Sequence, residues 1–349
     1  MAYSSIAKPT DYFNTVLYTG NGSTNAITGV GFQPDWLWVK CRSNANGGQI
    51  FDALRTTNSL STNESAAEAD RSGDGFTSLD SDGFTMNGSG SGGNTNASSR
   101  TYVAWNWLAG NSTSSNSNGD LTSTVSVNTT AGFSICQWTS SDTGSVRTVG
   151  HGLGVKPDWI LWKSTSRTVD WINFHVSTGK DKNAGWLNQT SASSNQNYWG
   201  NTEPTSTVFS TEGATEDSGT NIAYCFAEKK GYSKFGSYTG NGNTDGTFIY
   251  TGFSPAWIMG KRTDSANNWY MFDSTRNTFN VTDKKLRADS SAAENVDSSK
   301  TIDIVSNGFK IRSSDAEFNA SSGSYIYMAF AKHPFVGNDS GTAVPVTAR

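Results

Sequence analysis

Three short stretches of the chain share one pattern of apolar and polar positions. They are Gly31-Phe32-Gln33-Pro34-Asp35-Trp36-Leu37-Trp38-Val39-Lys40, Val155-Lys156-Pro157-Asp158-Trp159-Ile160-Leu161-Trp162-Lys163 and Gly252-Phe253-Ser254-Pro255-Ala256-Trp257-Ile258-Met259-Gly260-Lys261. In each, a Pro stands two residues before a Trp and six before a Lys. Proline cannot donate to a sheet ladder, so it belongs just ahead of a strand, and the run after it is rich in β-branched and aromatic residues. Strand alternation sends Trp36, Trp38 and Lys40 to one face and Leu37 and Val39 to the other. Both faces are apolar at the start, which predicts a strand covered on both sides.

The other apolar runs fall in the same order around each copy. In the first, Phe13–Tyr18 reads as an opening strand and Gln49–Arg55 follows the Pro34 strand. Ser78–Thr85 reads as a hairpin turning at Asp82-Gly83, and Tyr102–Trp107 closes the unit. The second opens at Gly132–Trp138, continues at Trp171–His175 and closes at Ile222–Ala227; its middle, residues 177–218, is the least like the others. The third opens at Phe235–Tyr238, continues at Trp269–Arg276, turns at Asn307-Gly308 and closes at Tyr325–Ala331. Only Ser65–Ala69 and Ser291–Glu294 suggest helix, about one turn each. The prolines are 157 − 34 = 123 and 255 − 157 = 98 residues apart, a period of one small domain.

The pattern predicts an all-β protein of three tandem related β-sandwich-like (jelly-roll or lectin-like) domains. Their expected bounds are 13–110, 131–231 and 232–336, with an Asn/Ser/Thr-rich linker at 111–130 and a C-terminal tail at 337–349. Residues 1–12 are expected to form an extended leader.

Composition refines this without changing it. Only 34% of residues are hydrophobic and 16% charged, but 12 Trp, 18 Phe and 12 Tyr supply large apolar area, unlike a disordered chain. A net charge of −4 with scattered Lys and Arg gives no basic stripe for nucleic acid. No apolar run is long enough to span a membrane, and Met1–Pro9 lacks the apolar region of a signal peptide. Three cysteines, Cys41, Cys136 and Cys225, cannot make a disulfide framework and are expected as folded thiols in a reducing compartment, with Cys136 and Cys225 on neighbouring strands.

Reactive constellations are weak. His151, His175 and His333 lack metal-ligand spacing, and His151, in a Gly-rich turn, reads as a surface histidine. No Gly-x-Ser-x-Gly elbow is present. Asp52, Asp80 and Asp82 invite a calcium or glycosidase reading, yet the third copy has Val305 and Asn307 where the first has Asp80 and Asp82. What repeats there is turn geometry. The Asp52…Arg55 and Asp273…Arg276 pairs read as ion pairs closing a turn, and Lys40, Lys163 and Lys261 as strand ends extending into solvent. Trp36, Trp159, Trp257, Trp107, Phe226 and Phe330, repeated in register, are expected in the core. Trp186, Tyr198 and Trp199 lie in the unlike middle of the second copy. Exposed there, they would stack on sugar rings or on another subunit, and burial statistics favour packing. No catalytic, cofactor-binding or metal-ligating residue is assigned, and no cofactor is expected.

The chain resembles an uncharacterised repeat-domain family found in tail-fibre and other virion structural proteins of marine bacteriophages. The residues that carry the resemblance are Val16–Thr24 with Gly29–Asp35, Tyr102–Gly110, Ile222–Ala227 through Gly231–Gly242, Tyr250–Ala256 and Tyr325–Ala331. It transfers no catalytic or ligand residue. It implies a virion structural protein without enzymatic activity, exposed on the particle surface and assembled in the host cytoplasm. The short stretch ahead of residue 13 favours a short fibre, a spike or a capsid decoration, attached through residues 1–12. Expected partners are further copies of the chain, as a homotrimer, and other virion proteins. The alternative is a host-glycan-binding adsorption protein of the tail, with residues 177–218 as its site; a depolymerase is disfavoured because no paired carboxylates recur.

Overall fold

A computed structural model describes residue 4 and residues 6–88, 95–141, 144–212 and 218–334. The expected tail at 337–349 and Tyr3 lie outside the described residues. The fold is all-β, 44% strand with no α-helix among the described residues.

Each repeat is built on one six-stranded sheet. In repeat one the opening strand (Phe13–Thr19) is followed across the sheet by the closing strand (Thr101–Trp107) and the central, proline-led strand (Trp36–Cys41). Gln49–Asp52, Asn58–Ser61 and Ala69–Asp70 complete it. Repeat three has the same order, with Ser233–Thr239, Ser324–Pro334, Phe253–Arg262, Tyr270–Asp273, Lys284–Arg287 and Asn295–Val296. Repeat two keeps Phe133–Ser140, Gly219–Phe226, Trp159–Ser164 and Ile172–His175, but adds Ser114–Asn116 and Ser123–Asn128 beyond its opening strand. Residues 111–130 are therefore not a linker. Residues 123–128 pair along the second sheet's opening strand, and Ser123, Val125 and Ser126 are buried.

The central strands alternate as the sequence predicts. Leu37, Val39 and Cys41 face a cluster completed by Ile27, Phe84 and Met86 of the repeat's small sheet (Asn25–Thr28, Gly83–Met86, Ser78–Asp80). Repeat three pairs its large sheet with Phe248–Tyr250, Gly308–Ile311 and Ile302–Val305 in the same way. The hairpin glycines are required by close approach: a Cβ on Gly83 or Gly308 would sit 2.0 Å from the carbonyl oxygen of Ile27 or Ile249 on the adjacent strand.

The opposite faces of the three large sheets turn toward one another. Trp36, Trp38, Trp105 and Trp107 of repeat one, Phe133, Trp159, Tyr224 and Phe226 of repeat two, and Trp257, Met259 and Phe330 of repeat three form one continuous cluster. Ring centroids at its centre are close: Trp36–Trp107 4.4 Å, Trp36–Phe226 5.7 Å, Trp107–Trp257 5.4 Å, Phe226–Phe330 5.9 Å. The residues repeated in register are thus core, but of a hub that all three repeats share.

The described part of the leader is spent on this hub. Ile6 is 2% exposed within it, Ser4 lies against Gly231, and a 3-10 turn at Pro9–Asp11 leads Tyr12 to the ring of Tyr232 at 6.1 Å. An apolar side chain finds more burial in the open end of the hub than in solvent. The leader expected to be extended is, where described, packed on the hub and turned at Pro9–Asp11.

Candidate functional site

The three repeats meet at three seams, and an equivalent backbone bond closes each. The Glu68 amide of repeat one donates to the Thr165 carbonyl of repeat two at 2.8 Å. That of Ser193 in repeat two donates to Thr263 of repeat three, and that of Glu294 in repeat three to Arg42 of repeat one, both at 2.9 Å. Each acceptor follows directly on the last residue of a central strand. The bonds run one to two, two to three and three to one, so the ring closes. Residues 65–68 and 291–294, expected to be helical, have no helical turn and carry these donors.

The register identifies equivalent side chains. Asp52, His175 and Asp273 pair with Trp36, Trp159 and Trp257. Three residues further on stand Arg55, Thr178 and Arg276. At the seam between repeats three and one, Asp273 Oδ2 accepts from Arg276 Nε and from Trp105 Nε1 of repeat one at 3.1 Å. Arg276 Nη1 donates to Glu294 at 3.0 Å, and Arg42 of repeat one closes on Glu294 through Nε at 3.0 Å and Nη2 at 2.9 Å. Between repeats one and two, Asp52 Oδ2 accepts from Arg55 Nε at 2.7 Å and from the Tyr224 hydroxyl of repeat two at 2.6 Å. Burial opposes the charge of Arg55, but Asp52 and its neighbours hold its pKa above the ordinary value. The turn-closing ion pairs read from sequence are present, and their carboxylates also reach the next repeat.

Lys40, Lys163 and Lys261 are fully buried, contrary to the expectation that they extend into solvent. Alternation puts them on the hub face beyond the tryptophans, and the neighbouring repeat covers them. Lys40 Nζ donates to the carbonyls of Asn46 at 2.9 Å and of Ser290 in repeat three at 2.7 Å. Lys261 Nζ reaches Arg262 at 2.8 Å and Thr190 of repeat two at 3.2 Å, while Lys163 Nζ reaches Ser164 and Arg167 at 2.6 and 3.1 Å. Burial lowers each pKa to about 8.

The aromatic candidates of repeat two separate. Trp199 is fully buried, edge-on to Trp162 and Phe174 at 5.8 and 5.7 Å, so its faces cannot take a sugar. Tyr198 is half-buried, edge-on to Trp162 at 6.5 Å. Trp186 is half-buried, and its carbonyl accepts from the Trp269 indole of repeat three at 2.9 Å. The structure does not bring these three together as a platform. A polar depression of about 640 Å³ lies within 177–218, but Asp181, Lys182, Asn195, Gln196, Asn197 and Asn201 line it.

His151 is buried rather than at the surface; its Nδ1 accepts from the Leu153 amide at 3.2 Å, and burial lowers its pKa to about 4. Asp82 accepts from the amides of Gly29 and Gly31 at 3.1 and 2.6 Å, and Asp80 from Ser78 and Thr85, so both carboxylates serve turns. Cys136 and Cys225 are free thiols on adjacent strands. Among the described residues no group of three or more His, Cys, Asp or Glu is placed to hold a metal, and no helix is long and apolar enough to cross a membrane.

The seam residues were visible in the sequence only as echoes: Ser-Ala-Ala-Glu occurs at 65–68 and at 291–294, and Asp-x-x-Arg at 52–55 and 273–276. Nothing in that spacing says the partner belongs to another repeat.

No curated protein and no solved structure matches the chain. One family matches residues 8–334, a span that runs through all three repeats and the ring they close. The chain belongs to that family, described as a domain of unknown function (DUF7483).

Proposed function

We propose that this protein is a structural part of a bacteriophage virion, without enzymatic activity, exposed on the particle as a short fibre, a spike or a capsid decoration. The observation that best supports the reading is where the repeated residues are used. The tryptophans, the lysines, the Asp–Arg pairs and the Ser-Ala-Ala-Glu loops all hold the three repeats against one another. A closed ring within one chain cannot dissociate into subunits, which suits a part that must stay intact outside a cell. The threefold arrangement first expected between chains is in this reading supplied within one. Sedimentation tests that point: a 37.4-kDa species fits the internal trimer, and a species three times that mass restores the homotrimer.

Ser4 and Ile6 are buried in the fold, so attachment through residues 1–12 would have to leave them seated. Imaging of phage particles with and without this protein tests the proposal. Density lost from the capsid lattice marks a decoration, and density lost from the tail marks a fibre or spike. Identical particles, with the protein found only free in the lysate, would overturn it.

A further inference from the structure

The three seams close with the same backbone bond but not with the same side chains. Where the other seams carry Asp52, Arg55 and Glu68, or Asp273, Arg276 and Glu294, the seam between repeats two and three has His175, Thr178 and Ser193. Where Arg42 reaches across from repeat one, Thr165 stands in repeat two and Thr263 in repeat three. Four positions that can hold long charged side chains hold short or uncharged ones here. A groove of about 310 Å³ opens at this seam.

Its walls come from both repeats. Ser177 and Thr178 of repeat two face Ser237, Thr239, Thr263 and Ser324 of repeat three, with the nearly buried Ile326 at the base. Ser177, Ser237, Thr239 and Ser324 are exposed. Thr178 and Thr263 are held by bonds from their hydroxyls to the carbonyls of His175 and Ser324, at 3.0 and 3.1 Å. The stacked rings of Tyr238 and Tyr325, 4.8 Å apart and 8° from parallel, belong to the cluster behind the repeat-three wall. Just behind it, His175 is buried and accepts from the Ser177 amide through Nδ1 at 3.0 Å.

We propose that this groove is a binding site for a neutral sugar ring. Among the described residues no Lys, Arg, Asp or Glu lines it, so it offers no charge to neutralise a phosphate, a carboxylate or an amine. Hydroxyls both donate and accept, which matches the alternating donor and acceptor edge of a polyol. The volume is at the small end of ligand sites, about 300 Å³, which limits the occupant to a short saccharide. The site goes beyond the virion reading and does not depend on it. It also differs from the aromatic platform sought at Trp186, Tyr198 and Trp199.

Saturation-transfer NMR on the whole protein with the methyl glycosides of glucose, galactose, mannose and N-acetylglucosamine tests this. At least one should receive saturation from the wild type. Ser237→Trp, which fills the groove from an exposed strand position, and Thr178→Arg, which returns the arginine of the other seams, should each weaken binding by about tenfold or more. Thermal unfolding of both variants checks that the ring is intact. No transfer to any of the four glycosides, or transfer undiminished in both folded variants, would overturn the proposal.

Discussion

The seam between repeats three and one and the seam between two and three do the same job with different chemistry. The first is a desolvated ladder of Asp273, Arg276, Glu294 and Arg42; the second has small or neutral residues at each of those places and an open groove. Yet the backbone bond has the same length at both, and both rest on the same hub. Charge is therefore not what closes the ring. Taking ions out of water costs about as much as their attraction returns, so a buried ladder fixes which side chains face each other more than it adds net stability. What both seams share is the aromatic hub, and that is where most of the stabilisation lies.

The largest effect should come from the shared part. Trp257→Ala removes a fully buried indole in contact with repeat one and is expected to cost about 3–5 kcal/mol. Urea unfolding followed by tryptophan fluorescence should remain a single transition at lower midpoint; separate transitions would mean that the repeats are independent.

Next comes one half of the ladder. Arg276→Ala strands Asp273 and Glu294 without their common cation and should cost about 3–5 kcal/mol, whereas Thr178→Ala at the equivalent place should stay within about 0.5 kcal/mol. Equal losses at the two positions would refute the contrast drawn between the seams. A sharper form transplants one seam onto the other. Arg42→Thr, Asp273→His, Arg276→Thr and Glu294→Ser together should cost less than Arg276→Ala alone, because no unpaired buried ion remains. The same denaturation series measures it.

The smallest effect per site is a pH dependence common to all three seams. The buried lysines have folded pKa values of about 8 against 10.5 when free. Between these values the unfolded chain binds more protons than the folded one. Stability from these groups is lowest below pH 8 and rises with pH through the window, by at most about 1.4 kcal/mol per lysine and pH unit. Groups whose pKa burial raises act with the opposite sign, the Cys225 thiol above its ordinary value of 9.0 and tyrosines such as Tyr224 and Tyr238 only above 10.0, so within the window one thiol opposes three lysines. Urea midpoints taken between pH 8 and pH 10 should therefore climb, and Lys163→Met should remove part of the slope. A flat or falling profile would place the lysines in water.

Much of each repeat was legible because it depends on local rules. The two-residue alternation and the glycine of the hairpin turn act over a few residues and appear where the pattern put them; the proline stands ahead of the central strand in repeats one and two, but Pro255 lies within Phe253–Arg262, at a break in its register with the closing strand. The candidate sites were less legible. Trp199 and Trp36 are both buried tryptophans, but only Trp36 recurs in register; the sequence offered no comparison by which to bury Trp199. His151 read as exposed because it sits among glycines, and Lys40, Lys163 and Lys261 because lysines usually end in water. In each case the covering atoms come from distant segments.

By itself, the sequence determined the class, the three repeats, the strand faces and the turn chemistry, since the sterics of one strand and its neighbours decide those. Tertiary structure alone decided that the hub faces of the three sheets meet, that Ile6 joins them, that the lysines are sealed in and that one seam stays open. An apolar strand face specifies that it must be covered and carries no record of what covers it, because burial is non-directional. The choice of cover falls to shape and register over the whole ring, and those exist only once all three repeats are folded against each other.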